Sequence, residues 1–186
     1  MSHAIDLDGI REKLFVLRHL ALGAEEYCRV EEITSDVELS GDFFNDYWGQ
    51  LKVLLSNYLI EIAVKIRMIE EHCLKNGYKD EIRAFEKEAI SGLALGKIHS
   101  GSFSLSIRES SNKIIHATRA YFEFKKFKHN SEELQCWNGN YNFEGHKNGK
   151  KWHFELYIDN WCSALTEYLN HLEESEFTIE IGQDYA

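Results

Sequence analysis

The tightest constraint in this chain is a turn. Lys147-Asn148-Gly149-Lys150 places Asn-Gly at the two central positions of a type I′ hairpin, where both residues take positive φ. With that turn as the hinge, Phe143 falls opposite Phe154, Tyr141 opposite Leu156, and Gly145 opposite Trp152. One face of the ribbon is then apolar or glycine, and the other carries Asn142, Glu144, His153 and Glu155. Turn chemistry and alternation agree, so two antiparallel strands with one buried face follow from the residues alone.

Upstream the period differs. Over 120–127, Phe122 and Phe124 alternate with Tyr121, Glu123 and Lys125, which adds a third strand. Before that the pattern is helical. From Gly9 to about Glu32, Ile10, Leu14, Leu17, Ala21 and Ala24 recur at steps of three and four, with Asp8 as the expected N-cap. A longer helix is expected from about Tyr47 to Cys73. It has one apolar side in Leu51, Leu54, Leu55, Tyr58, Ile62, Ile66 and Ile69, and a second stripe in Val53, Ile60 and Val64. A helix apolar on two sides is central in a bundle or shared with a partner subunit.

A short helix is expected over 80–90, followed by a connecting loop punctuated by Gly92, Gly96 and Gly101. Those glycines match neither G-x-G-x-x-G nor a phosphate-binding loop. Ser106-Ile107-Arg108-Glu109 reads as a capping box opening a fourth helix that runs to about Arg119. A last helix from about Asn160 to Leu172 presents Trp161, Leu165, Tyr168, Leu169 and Leu172, ahead of an acidic tail from Glu173. The expected fold is α+β and mainly α: a bundle of four to five helices with a C-terminal three-stranded antiparallel β-meander. The helical part covers 1–119, and 120–186 packs on it as one domain.

A chain of 186 residues buries about 70% of its unfolded surface and needs neither disulfide nor metal. Its four cysteines form no C-x-x-C pair, the N-terminus has no secretory h-region, and the stretch 51–68 is too polar to span a membrane. The expectation is a cytoplasmic protein with reduced thiols, no metal and no cofactor. A net charge of −10 opposes general binding to nucleic acid. The charge is uneven, however. Seven basic and two acidic residues lie between Lys97 and Lys128, leaving that segment at +5 and the rest at −15. An anion site is therefore expected there.

On the fourth helix, Arg108, Asn112, His116 and Arg119 fall within a sector of about 100°. A histidine and a fixed arginine can move a proton and stabilise the charge of a phosphorane without metal, which is the chemistry of RNA cleavage by an internal 2′-hydroxyl. His116, Arg108 and Asn112 are the candidate catalytic residues, and Arg119, Lys113 and Ser111 the candidate substrate contacts. Other groupings explain themselves by packing. Cys136, His146, His153 and Cys162 contain no local ligand pair for zinc. Tyr121, Trp137, Tyr141 and Trp152 lie near Lys125, Lys126 and Lys128 as base-stacking residues would, but they fit a sheet core better.

Ser111-Asn112-Lys113-Ile114-Ile115-His116-Ala117 resembles the signature helix of the HEPN superfamily. In that family an Arg followed by a polar residue, often Asn, precedes a His with four to six residues between the Arg and the His. The resemblance implies a helical bundle and a homodimer whose paired Arg and His side chains form a metal-independent RNA-cleaving site. Asn112 and His116 match the pattern, whereas Ser111 stands where the family has Arg. Seven residues separate Arg108 from His116, and Arg119 follows it. The expected partners are RNA or a nucleotide and a second copy of the chain. The alternative is an interaction module, without enzymatic site, that engages another protein.

Overall fold

The structure, a computed structural model, describes residues 5–33 and 37–175, with backbone alone over 37–46. Among the described residues five helices and four strands follow one another: α1 (Leu7–Val30), α2 (Val37–Lys75), α3 (Lys79–Ala89), β1 (Gly96–Ser100), α4 (Ile107–Ile115), β2 (Arg119–His129), β3 (Glu132–Lys147), β4 (Lys150–Tyr157) and α5 (Ile158–Glu174). The strands make one antiparallel sheet in the order β1-β4-β3-β2.

The fourth strand corrects the expected three-stranded meander. β1 comes from the segment read as a glycine-punctuated loop and adds to the free side of β4, with Gly96 opposite Leu156 and Ile98 opposite Phe154. Five residues are too few for an alternation to stand out. The glycine that suggested a loop is a strand residue for a steric reason: a methyl group on Gly96 would collide with the carbonyl oxygen of Glu155.

The β3–β4 hairpin has the register expected from its turn. Phe143 pairs with Phe154, Tyr141 with Leu156 and Gly145 with Trp152. Asn148 and Gly149 both have positive φ, at 53° and 75°. Gly149→Val puts a β-branched residue in that region, and a stability loss on the order of 1–2 kcal/mol is expected in urea denaturation. An unchanged midpoint would show that the turn does not need its glycine.

Helix boundaries shift where caps decide them. The N-cap of α1 is Asp6, whose carboxylate accepts from the Gly9 N–H at 2.8 Å, rather than Asp8. α2 begins at Val37, ahead of Tyr47, and α5 runs through Glu174, past the expected start of the tail. Residues 176–186 of that tail lie outside the described residues. α4 stops at Ile115 instead of reaching Arg119, and His116 is its C-cap.

One apolar core joins the helices to the inner face of the sheet, with Leu14 and Leu17 of α1, Leu55 and Ile62 of α2, Phe154 of β4 and Trp161 of α5 all buried in it. The chain leaves β1 at Ser100, opposite His153, and re-enters the sheet at Arg119, opposite Glu144. α4 makes that crossing, and this is what sets it beside the turn end of the β3–β4 hairpin.

Candidate functional site

α4 starts where Ser106, in extended conformation, accepts the Glu109 N–H on its Oγ at 3.1 Å. Its inner side is Ile107, Ser110, Ser111 and Ile114, all buried. Ser110 Oγ donates to the Ile107 carbonyl at 2.9 Å and accepts from Trp161 Nε1 at 3.0 Å, locking the helix to α5. The remaining side of α4 carries Glu109, Asn112, Lys113 and His116, at steps of three, one and three along the helix.

That side forms one wall of a cleft of about 340 Å³, whose other wall is His146, Lys147 and Trp152 from the hairpin. Two lysines and two histidines thus face one carboxylate, in a volume within the range of small-ligand sites. Lys113 is the unusual member, being only 5% exposed. Its Nζ lies 4.3 Å from the centre of the Phe103 ring, 4.4 Å from that of Trp152, and 3.6 Å from Glu109 Oε1. Two ring faces and a carboxylate replace the water that an ammonium loses on burial. A neighbouring depression of about 330 Å³ shares Glu109, Lys113 and Lys147 with the cleft and adds Arg108 and the hydroxyls of Ser102, Ser104 and Ser106.

The expected site residues therefore divide. Asn112, Lys113 and His116 line the cleft. Arg108 lines the adjoining depression, and its Nη1 lies 3.3 Å from Glu70 Oε2. Arg119 is outside both. It belongs to β2, with its guanidinium 4.7 Å over the Tyr121 ring and Nη1 3.8 Å from Glu144 Oε2. Because α4 ends at Ile115, the helical period no longer carries Arg119 round to the His116 side. Ser111 is fully buried on the core side, and its Oγ has no hydrogen-bond partner among the described residues.

His146, Lys147 and Trp152 are the cleft residues that the α4 pattern does not name. One local signal pointed to Trp152, the pairing of a tryptophan with Gly145: a methyl group on Gly145 would strike the indole, so the ring lies across the glycine. That His146 and Lys147 face α4 depends on the crossing, which no local pattern encodes.

A second polar grouping covers the opposite face of the sheet. Tyr121 donates to Glu144 at 2.8 Å, Asn142 donates to Glu123 at 2.9 Å, and His153 Nε2 lies 2.8 Å from Asn142 Oδ1. The His99 and His153 rings stack 4.4 Å apart. Burial, and then the neighbouring His99, hold His153 below the ordinary imidazole range. Among the described residues no group of three His, Cys, Asp or Glu side chains is placed to hold a metal ion, and no helix is long and apolar enough to cross a membrane. No family model matches the chain, and neither a curated protein nor a solved structure matches it.

Proposed function

We propose that the cleft between α4 and the β3–β4 hairpin binds the phosphodiester of single-stranded RNA or the phosphate of a nucleotide. The observation that carries this reading is the convergence of Lys113, Lys147, His116, His146 and Asn112, from two distant segments, around the indole of Trp152. Ammonium and imidazolium groups attract a phosphate, and the buried indole, laid across Gly145 with the Lys113 ammonium over its ring, holds that ammonium at the cleft wall. The HEPN resemblance belongs to the same reading, with His116 in the place of the family's histidine. Here Lys113 and Lys147 supply the positive charge, since Ser111 is buried in the core. Cleavage would need one group to take the 2′-hydroxyl proton and another to protonate the leaving oxygen, and His116 and His146 are the two imidazoles available for these steps. A cytoplasmic location suits the four buried cysteines, which no disulfide joins.

The test is a uridine-rich RNA oligonucleotide mixed with the protein in the presence of a metal chelator. Binding that Lys147→Ala weakens, and cleavage that His116→Ala slows by about 10²–10⁴-fold with the fold intact, are the expected results. A wild type that binds without cutting restricts the function to binding. One that neither binds nor cuts refutes it.

A specific surface suits the homodimer that belongs to this reading. Val53, Ile60, Val64 and Met68 are 61%, 49%, 39% and 42% exposed along one stripe of α2. These four side chains cover about 22 Å of helix, at a rise of about 1.5 Å per residue. The occupant we infer is a second copy of the chain, because an antiparallel two-fold pairing sets Ile60 near the axis and meets the stripe with itself. Light scattering should return twice the 21.7 kDa protomer mass, and Ile60→Glu should restore the protomer. A wild type at the protomer mass throughout the micromolar range refutes the dimer.

A further inference from the structure

Arg108 stands between two places for an anion. Toward the core, its Nη1 lies 3.3 Å from Oε2 of Glu70, a carboxylate whose side chain is 2% exposed. Toward solvent, its side chain is 40% exposed and lines the depression that shares Glu109, Lys113 and Lys147 with the cleft. A guanidinium carries one charge, and the buried Glu70 carboxylate takes up part of it, so an anion arriving from solvent meets a partly neutralised arginine.

The surroundings of Glu70 make that carboxylate a reluctant anion. On α2 itself, Arg67 Nη1 lies 3.6 Å from the same Oε2, but Arg67 also pairs with Glu71 at 2.7 Å. α3 brings Glu86, whose Oε1 accepts the Arg108 backbone N–H at 2.8 Å and repels Glu70. α5 brings Tyr168, fully buried beside Glu70, Glu86 and Cys73. The Tyr168 hydroxyl has no hydrogen-bond partner among the described residues, so it does not relieve the carboxylate.

We propose that Glu70 is an internal counter-ion that competes with the ligand's phosphate for Arg108, so that a proton taken up by Glu70 releases the arginine to the ligand. The proposal rests on the phosphate reading of the cleft and adds its regulation. Desolvation outweighs the attraction of Arg108 and Arg67 and pushes the Glu70 carboxyl up to about 7, so the exchange falls in the neutral range. Linkage makes the effect reciprocal: the proton strengthens phosphate binding, and bound phosphate favours the proton.

The test uses a short oligothymidylate without terminal phosphates. Its diesters stay charged throughout, and it lacks the 2′-hydroxyl needed for cleavage. Affinities of the wild type and Glu70→Gln should coincide near about pH 5.5, while near about pH 8.5 the variant should bind about fivefold tighter or better. His116 and His146 are common to both proteins, so their contribution cancels in the ratio. In an Arg108→Ala background the ratio should return to one. Independently of any variant, the carboxyl carbon resonance of Glu70 in the wild type should titrate at a higher pH once the oligonucleotide is added. A ratio that stays at one across the range, or that persists without Arg108, or a Glu70 titration that the oligonucleotide leaves unmoved, overturns the proposal and leaves the binding site standing. If neither protein binds at any pH, the phosphate reading fails and the competition fails with it.

Discussion

Trp152→Ala should cost the protein about 3–5 kcal/mol of stability, the range for removing a buried large aromatic side chain. Trp152 is 4% exposed, its indole lies across Gly145, and its ring centre is 6.2 Å from that of Phe154. Alanine would leave a void at the turn end of the hairpin and would strip one ring face from the buried ammonium of Lys113, which then has only Phe103 and Glu109 beside it. Trp152→Phe should recover most of the loss, because a smaller ring still covers the glycine. Urea denaturation of the three proteins checks this. A Trp152→Ala loss under about 1 kcal/mol would mean that the indole is not packed as described.

The second large effect is a pH dependence. The folded-state pKa of Glu70, pushed up to about 7 chiefly by burial, lies above its unfolded value, so the native state binds more protons than the unfolded state between the two. Stability from this group is therefore fully present at acid pH, declines as pH rises through the carboxylate range, and levels off above about 7. The span corresponds to a loss on the order of 3 kcal/mol, since one pH unit of displacement is worth about 1.4 kcal/mol. Glu70→Gln removes the titrating group while preserving its shape. Its stability, compared with wild type by urea denaturation from about pH 4.5 to about pH 8, should gain on the wild type steadily as pH rises. Arg108 tolerates the loss of its partner because its side chain is 40% exposed and can be solvated. Parallel curves for the two proteins would show that Glu70 ionises in the native state as easily as in water.

Within the candidate site, legibility followed the distance over which the determining contacts act. Asn112, Lys113 and His116 were readable because they repeat along one helix and share the cleft wall. Arg108 is on the same helix, yet its side chain meets a carboxylate of α2 that lies 38 residues earlier in sequence. No period reports such a meeting. Arg119 was misplaced because an ideal helical wheel was extended past the real end of α4 at Ile115.

Elements with local causes are legible in the residues alone. Asn148-Gly149 set the β3–β4 register, since the backbone conformation of those two residues fixes which residues pair across the turn. The steps of three and four in Ile10, Leu14 and Leu17, or in Leu165, Tyr168, Leu169 and Leu172, buried one side of α1 and of α5 for the same reason. Features that depend on pairing across long stretches of chain are set by packing in three dimensions. A five-residue strand has no stability of its own, and Gly96–Ser100 becomes one only because β4 offers a free edge and the Gly96 backbone can approach it. The cleft is a consequence of that choice. With β1 and β2 at opposite edges of the sheet, the chain between them has to cross the turn end of the hairpin, and the crossing brings His116 and Lys113 to His146, Lys147 and Trp152.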